Sequence, residues 1–305
     1  MDELPMTERR NPASHRLDEM PVEAVLRLMN EEDRKVPGAV EKALPGIAEA
    51  VALLVGAWEQ GGRWIYVGAG TSGRVAAVDA AECSPTFGVP PDRVLALLAG
   101  GQTAATQAVE GAEDDRAAAA RDLEDLGLDP KDVVVGLAAS GRTPYVVAAV
   151  RHASEKGCAT VGISNNPGSE LGAVAGVGIE LNTGPEILTG STRLKAGTSE
   201  KLVLNMLSTA AFTRLGKVYE NLMVDLRATN EKLKNRSLRI VMEATGVSKR
   251  EARELLHAAD GSVKVAVVMG KASVPANEAR ELLAVAGGKV RGALEAARST
   301  RAAEK

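Results

Sequence analysis

Short apolar runs alternate with helical patterns between residues 63 and 181, and this alternation restricts the possible folds more than any other feature. The runs cover residues 63–67, 94–99, 132–137, 159–164 and, more weakly, 178–181. Strands that are apolar on both faces and separated by helices are typical of a parallel sheet covered on each side by helices. The sequence therefore predicts a three-layer α/β fold.

Helical patterns flank and connect these runs. We expect helices at about 22–30, 39–58, 103–126, from Pro144 onward, and at 196–215. After Lys234 the strand pattern ends, and residues 238–301 are predicted to form short helices. There Gly246 stops one helix, and Ser248 with Glu251 begins another through a capping box.

The length of 305 residues exceeds one average domain. We predict a first domain over 1–235 and a small all-helical domain over 236–305. Only 2% of the residues are aromatic, so a core of Ala, Val and Leu is expected.

Composition argues against several classes of function. A formal net charge of −3 provides no basic surface for nucleic acid, and scarce aromatic residues provide no base-stacking platform. Two cysteines and three scattered histidines predict neither a disulfide framework nor a metal site. The charged segment 1–11 does not resemble a signal peptide, and no apolar run is long enough for a membrane span, so we expect a cytoplasmic protein.

Two polar segments with glycine follow predicted strands and precede predicted helices. The first is Gly-Ala-Gly-Thr-Ser-Gly-Arg at 68–74, and the second is Ser-Gly-Arg-Thr at 140–143. Open parallel sheets bind ligands at the carboxyl ends of their strands, where helix N-termini offer free N–H groups to anions. A phosphate group is therefore the expected ligand. The candidate contacts are Gly70, Thr71, Ser72, Ser140, Gly141, Arg142 and Thr143.

The first segment also satisfies Gly-x-Gly-x-x-Gly, the pattern of dinucleotide-binding loops. The acid expected after the next strand is missing, because residues 99–102 read Ala-Gly-Gly-Gln. A Walker loop is excluded as well, since Arg74 and Val75 stand where Lys and Ser or Thr are required. For both segments, a tight strand–helix turn that needs glycine for packing remains the alternative.

Two glutamates lie in unusual settings and are candidate acid–base groups. Glu82 follows Asp79 near the end of a predicted helix, and Glu113 follows Gly111 within a predicted helical region. A glycine inside a helix costs about 1 kcal/mol relative to alanine, and aiming a carboxylate would be one reason to keep it. From the residues alone, a solvated helix face remains the commoner situation for both glutamates.

The stretch 184–201 is dense in hydroxyls, glycines and cations and leads into an apolar helix. It could position sugar hydroxyls or a further carboxylate, or it could be a capped helix start. Its candidate binding residues are Glu186, Ser191, Thr192, Arg193 and Lys195.

This stretch closely resembles the signature shared by N-acetylmuramic acid 6-phosphate etherases and the glucokinase regulatory protein. Further segments that resemble the bacterial etherases are 7–11, 66–74, 79–83, 109–114, 139–145, 221–225 and 228–233. The resemblance covers nearly the whole chain. It departs at Ser84 and Phe87, where related sequences often carry Pro and Tyr.

The resemblance implies a sugar isomerase (SIS) fold, a homodimer and a C-terminal domain similar to ubiquitin-associated folds. It implies cleavage of the D-lactyl ether of N-acetylmuramic acid 6-phosphate, giving N-acetylglucosamine 6-phosphate and D-lactate in peptidoglycan recycling. Neither a metal nor another cofactor is expected. The two catalytic glutamates of the family correspond to Glu82 and Glu113.

For this implied reaction we predict Glu82 as the acid that protonates the departing lactate and Glu113 as the base at C2. Residues 140–143 are expected to hold the 6-phosphate and residues 70–72 to face the sugar, with help from Arg193 or Lys195. The alternatives are a non-catalytic sugar-phosphate sensor and an isomerase or deaminase of the same fold.

Overall fold

The computed structural model describes residues 4–226, 228 and 230–303, with side chains up to residue 300. Residues 1–81 and 92–208 form one compact unit, and residues 82–91 and 209–305 form a second. Residue 235, where we predict a domain boundary, lies inside a helix. The division at that point stays a prediction.

The first unit contains a five-stranded sheet in which all pairings are parallel. Its strands are β1 (Trp64–Gly68), β2 (Val94–Leu98), β3 (Val133–Leu137), β4 (Ala159–Ser164) and β5 (Val177–Glu180). The order across the sheet is β2-β1-β3-β4-β5. All five predicted strands are therefore confirmed to within one or two residues.

Among the described residues, seven α-helices belong wholly or partly to this unit, and α3 and α7 contribute residues to both units. They are α1 (Val22–Asp33), α2 (Lys35–Glu59), α3 (Gly70–Phe87), α4 (Arg116–Asp125), α5 (Pro144–Glu155), α6 (Glu170–Val174) and α7 (Lys195–Arg214). Apart from the 103–126 region, the helices expected in this unit are present.

The side chains of β1 alternate between two helical layers, as the period of a strand requires. Ile65 and Val67 join a buried cluster with α4 and α5. On the opposite face, the Trp64 indole donates to the carbonyl of Leu54 in α2 at 2.8 Å, and the Tyr66 hydroxyl donates to Asp79 in α3 at 3.0 Å. The predicted three-layer α/β architecture is confirmed.

The helix predicted over 103–126 is wrong for its first part. Residues 101–105 and 112–114 form short 3₁₀ turns, and α4 begins only at Arg116. Gly111 has φ +73°, a left-handed conformation that interrupts an α-helix, and the Asp115 carboxylate caps α4 by accepting from the Ala118 N–H. Gly111 is thus a turn residue before Glu113 and not a glycine inside a helix.

The second unit is mainly helical, with a short antiparallel pair that the sequence analysis missed. Its elements are β6 (Val218–Tyr219), β7 (Leu222–Met223), α8 (Glu231–Thr245), α9 (Lys249–Ala258), α10 (Val263–Ala272), α11 (Ala276–Val285) and α12 (Val290–Ala303). The predicted helix stop at Gly246 and the Ser248–Glu251 capping box are both confirmed. The likeness to ubiquitin-associated folds stays a prediction.

Within the part of the chain that the structure describes, no helix has the length and apolar character needed to cross a membrane.

Candidate functional site

The two predicted anion-binding loops leave the sheet side by side. Gly68 at the end of β1 is the register partner of Leu137 at the end of β3, in adjacent parallel strands. The loop after β1 leads directly into α3, and the loop after β3 leads into α5. Both loops thus lie at the carboxyl edge of the sheet, where ligands of such sheets bind.

The loop after β1 is packed closely against its own strand. A side chain at Gly73 would lie 2.7 Å from the carbonyl oxygen of Gly68, so only glycine allows this approach of α3 to β1. Gly70 is exposed, Thr71 is half-buried, and Ser72 is buried with its hydroxyl 2.9 Å from Glu200. The packing explanation for the glycines therefore holds at Gly73, and Gly70 remains available to a ligand.

The loop after β3 combines hydroxyl groups with a helix N-terminus. Ser140 and Thr143 are half-buried, Arg142 is exposed, and Pro144 begins α5. The Ser140 hydroxyl accepts from the Arg142 N–H at 3.2 Å. Free N–H groups at the start of a 12-residue helix, together with two hydroxyls, form an environment suited to phosphate.

Asn166 holds this second loop in place, and it was not among the predicted site residues. Its side-chain amide donates to the carbonyls of Ala139 and Ser140 at 3.2 and 3.0 Å. It also exchanges hydrogen bonds with the Thr7 backbone N–H and hydroxyl. An amide two residues after the end of β4, at the same sheet edge, was the signal that could have identified it.

Glu113 lines a cavity of about 370 Å³ next to the loop after β1. Gly70, Arg74 and Glu110 are among the other lining residues. The Arg74 guanidinium donates to the carbonyls of Ala104 and Gln107 at 3.0 and 3.1 Å, which holds the segment before Gly111 against α3. Glu113, an exposed acid, therefore lies beside the glycine loop.

Glu82 is exposed on α3 and belongs to the second unit. It stands three residues after Asp79, a half-buried acid that accepts hydrogen bonds from Tyr66 and Ser208.

Within 184–201, two of the predicted binding residues have structural partners. The Glu186 carboxylate accepts from the backbone N–H groups of Lys195 and Ala196 at 3.2 and 2.9 Å, which caps α7. Burial raises the pKa of Glu186, although these N–H groups act in the opposite direction. The capped helix start considered for this stretch is therefore present, and a binding role for Glu186 stays a prediction.

The Lys195 ammonium group is buried in an ion pair. It lies 2.6 Å from Glu32 of α1 and donates to the Pro185 carbonyl at 2.9 Å. Burial alone would raise the pKa of Glu32, but Lys195 and Lys35 lower it below its usual value. Ser191 and Thr192 are half-buried and Arg193 is exposed, so these three are placed better than Lys195 to meet a ligand.

Among the described residues, no group of three or more His, Cys, Asp and Glu side chains could hold a metal ion. One segment used for the resemblance, 228–233, includes Thr229, which lies outside the described residues.

Comparison with known families identifies both parts of the chain. The glucokinase regulatory protein N-terminal SIS domain matches residues 46–154, and the SIS domain matches residues 115–211. The C-terminal lid domain of glucokinase regulatory protein matches residues 220–266. The predicted SIS fold is thus confirmed, together with a helical C-terminal region.

Curated relatives match most of the chain. The N-acetylmuramic acid 6-phosphate etherases of Yersinia pestis (strain Pestoides F) and Yersinia pseudotuberculosis serotype O:1b (strain IP 31758) are each 57% identical over 263 residues. Each match covers 86% of this chain and 89% of the relative. A solved phosphoheptose isomerase from Neisseria gonorrhoeae has a TM-score of 0.47 at 19% identity, covering 63% of this chain and 98% of that one. On the extent and identity of the curated matches, the chain belongs to the N-acetylmuramic acid 6-phosphate etherase family.

Proposed function

We propose that this chain is a carbon–oxygen lyase that converts N-acetylmuramic acid 6-phosphate and water into N-acetylglucosamine 6-phosphate and D-lactate. The observation that carries the proposal is the 57% identity to curated etherases over 86% of the chain. The glycine and hydroxyl loops at the carboxyl edge of the sheet support a sugar-phosphate ligand. A non-catalytic sensor or an isomerase is less favoured, since the high-identity relatives are named as etherases.

The chemistry requires a base and an acid. In the ring-opened sugar, the C1 aldehyde acidifies the C2 proton, which a carboxylate can remove. The C3–O bond then breaks, its electron pair stays with the lactate oxygen, and a carboxylic acid protonates that oxygen. Water adds to C3 of the conjugated C2=C3 bond, and C2 regains a proton. Two carboxyl groups, one ionised and one protonated, are sufficient for this sequence.

We assign the C2 base to Glu113 and the lactate acid to Glu82, which then serves as the base for water. The position of Glu113 in a cavity beside Gly70 supports its assignment. The assignment of Glu82 depends on the family resemblance. The hydroxyls of Ser140 and Thr143, with the N–H groups at the start of α5, are proposed to bind the 6-phosphate.

The direct test is incubation of the purified protein with N-acetylmuramic acid 6-phosphate, followed by an enzymatic assay for D-lactate. We expect equal amounts of D-lactate and N-acetylglucosamine 6-phosphate. N-Acetylglucosamine 6-phosphate as the starting compound is the matched control, because it lacks the ether. Binding of the substrate without lactate release would instead favour the sensor, and a changed sugar without lactate release would favour the isomerase.

We further propose that the protein acts as a cytoplasmic homodimer, in which the exposed side of α2 contributes to the subunit contact. One side of α2 packs on the sheet of its own chain, while Leu44 on this helix is 45% exposed. Light scattering of the active protein should give twice the chain mass. A single chain mass with full activity would contradict the dimer.

A further inference from the structure

Glu200 of α7 is a fully buried acid that the proposed reaction does not use. Its side chain has 0% exposure, and its Oε1 lies 2.9 Å from the hydroxyl oxygen of Ser72. Its other oxygen, Oε2, has no hydrogen-bond partner among the described residues. Ser72 belongs to the first turn of α3, and this turn is part of the glycine segment 68–74 after β1. Glu200 thus contacts the proposed sugar-binding loop through Ser72, from the protein interior.

The first turns of α3 and α7 are in direct contact around this pair. A side chain at Gly197 would lie 3.1 Å from the methyl carbon of Thr71, so the two helices approach closely there. Further along the same two helices, Asp79 accepts from the hydroxyl of Ser208 at 3.0 Å. Two carboxyl–hydroxyl contacts therefore connect α3 to α7.

These two carboxyl groups differ in the number of groups that stabilise a negative charge. Burial raises the pKa of Asp79 to about 6, while Tyr66, Ser208 and the charge of Lys201 oppose the rise. Burial raises the pKa of Glu200 to about 8, and Ser72 alone opposes it. An ionised carboxylate with one neutral donor and a bare second oxygen is strongly disfavoured in a protein interior. At neutral pH, Glu200 is therefore mainly the uncharged acid.

We propose that Glu200 is a positioning residue whose uncharged form holds Ser72 and the first turn of α3 in place, and whose ionisation loosens this turn and weakens sugar-phosphate binding. The uncharged acid carries a hydroxyl of its own and can donate to Ser72. The Ser72 hydrogen then stays available to neighbouring acceptors. Once ionised, the carboxylate accepts only, and it draws the Ser72 hydrogen to itself. This inference rests on the proposed function only in its choice of a sugar phosphate as the ligand.

Two other titratable groups near α3 and α7 act on Asp79 and not on Glu200. Lys201 follows Glu200 on α7 but is exposed and acts on Asp79, and Tyr66 of β1 donates to Asp79. Neither is a partner of the Glu200 carboxyl within the described residues. Because the pKa of Asp79 is about 6, its titration is nearly complete by pH 7. The range from pH 7 to 9 therefore reports on Glu200 with little contribution from Asp79.

The direction of the pH effect follows from proton linkage. The folded protein holds the Glu200 proton up to about pH 8, whereas the unfolded chain releases it near the ordinary value of 4.5. The stabilisation from this group is fully present below pH 4.5 and decreases as the pH rises toward 8. Ligand affinity should fall as the pH rises through 8 and above, because the ionised form, which no longer positions Ser72, then becomes the main form of the folded protein.

The test compares the parent protein with Glu200→Gln and with Glu155→Gln, an exposed control on α5. Calorimetry would give the dissociation constant for N-acetylglucosamine 6-phosphate between pH 7 and 9, and thermal unfolding would give the midpoint between pH 7 and 8, where the stabilisation from Glu200 still decreases. Between pH 7 and 9 we expect about a tenfold loss of affinity in the parent and the control, because pH 9 lies about one unit above the pKa of Glu200. In Glu200→Gln, both the affinity and the midpoint should change much less with pH.

Equal pH slopes in the parent and Glu200→Gln would overturn the inference. Failure of Glu200→Gln to fold would also overturn it, because an amide of the same shape should replace an uncharged acid. Both measurements are independent of turnover. A parent protein that shows the expected slopes but releases no D-lactate would contradict the proposed function and leave the role of Glu200 supported.

Discussion

The loops after β1 and β3 start from equivalent positions in adjacent strands, but the residues that surround the two loops differ. Both contain a glycine of positive φ, +53° at Gly70 and +67° at Gly141, and they leave adjacent strands in register. The first borders a cavity whose lining residues include the acids Glu110 and Glu113. The second presents hydroxyls and a helix N-terminus and is held by the Asn166 amide.

This difference suits the two neighbouring loops to different roles, phosphate binding after β3 and proton transfer beside the loop after β1. A phosphate is favoured where neutral donors and a helix N-terminus converge, as in the loop after β3. Proton transfer needs a carboxylate near the reacting carbon, and the cavity that the loop after β1 borders has Glu113 among its lining residues. Substitutions in each loop and at the two glutamates would establish or remove this distinction.

The largest effect is expected from the acid–base groups. Glu113→Gln should reduce D-lactate release by about 10²–10⁴-fold, and Glu82→Gln by a similar factor, since an amide cannot transfer the proton. Exchange of the C2 proton with solvent deuterium, followed by NMR, should be lost in Glu113→Gln and retained in Glu82→Gln. Glu155→Gln, on an exposed helix face, is the matched control and should behave as the parent.

Exchange that survives only in Glu113→Gln would reverse the two roles while keeping the pair. Lactate release close to that of the parent in either variant would contradict the two-glutamate mechanism.

The second prediction concerns the hydroxyls of the loop after β3. Ser140→Ala and Thr143→Val should each weaken binding of N-acetylglucosamine 6-phosphate by roughly 1.5–3 kcal/mol, because each removes a hydrogen bond to a charged group. Calorimetric titration would measure the loss. Ser154→Ala, on the exposed side of α5, serves as the control. If the double variant binds as tightly as the parent, this loop does not hold the phosphate.

The third prediction concerns stability and not catalysis or binding, and it compares the two glycines directly. Gly70→Ala should cost about 1–2 kcal/mol in unfolding free energy, because the left-handed backbone is strained but open space surrounds the site. Gly141→Ala should cost about 1–3 kcal/mol more, since its new carbon would lie 2.3 Å from the Cβ of Ser169. Denaturant unfolding would measure both.

Gly38→Ala is the control for this comparison, as it lies in α2 with a helical backbone and free space. It should leave stability unchanged or raise it by up to about 1 kcal/mol. Equal costs at Gly70 and Gly141 would show that the loop after β3 is no more tightly packed than its neighbour.

Sequence reasoning succeeded where the signal was local. The five apolar runs predicted the strands, and Gly246 with the Ser248–Glu251 pair predicted a helix end and the next helix start. It failed over 103–115, where alanines and acids are good helix formers but Gly111 and the Asp115 cap end the pattern. Helix propensity contributes little free energy per residue, so tertiary contacts can override it. Here the contacts of Arg74 with the carbonyls of Ala104 and Gln107 hold the segment in a non-helical conformation.

The sequence by itself determined the α/β layering, the location of both loops and the family, because apolar periodicity and motif spacing are properties of the chain read in order. Only the tertiary structure decided which distant groups meet. Thr7 meets Asn166, Glu32 meets Lys195, and Ser72 meets Glu200, across separations of 159, 163 and 128 residues. The free energy of a buried polar group depends on its partners, so the roles of Asn166, Lys195 and Glu200 emerge only after folding brings those partners together.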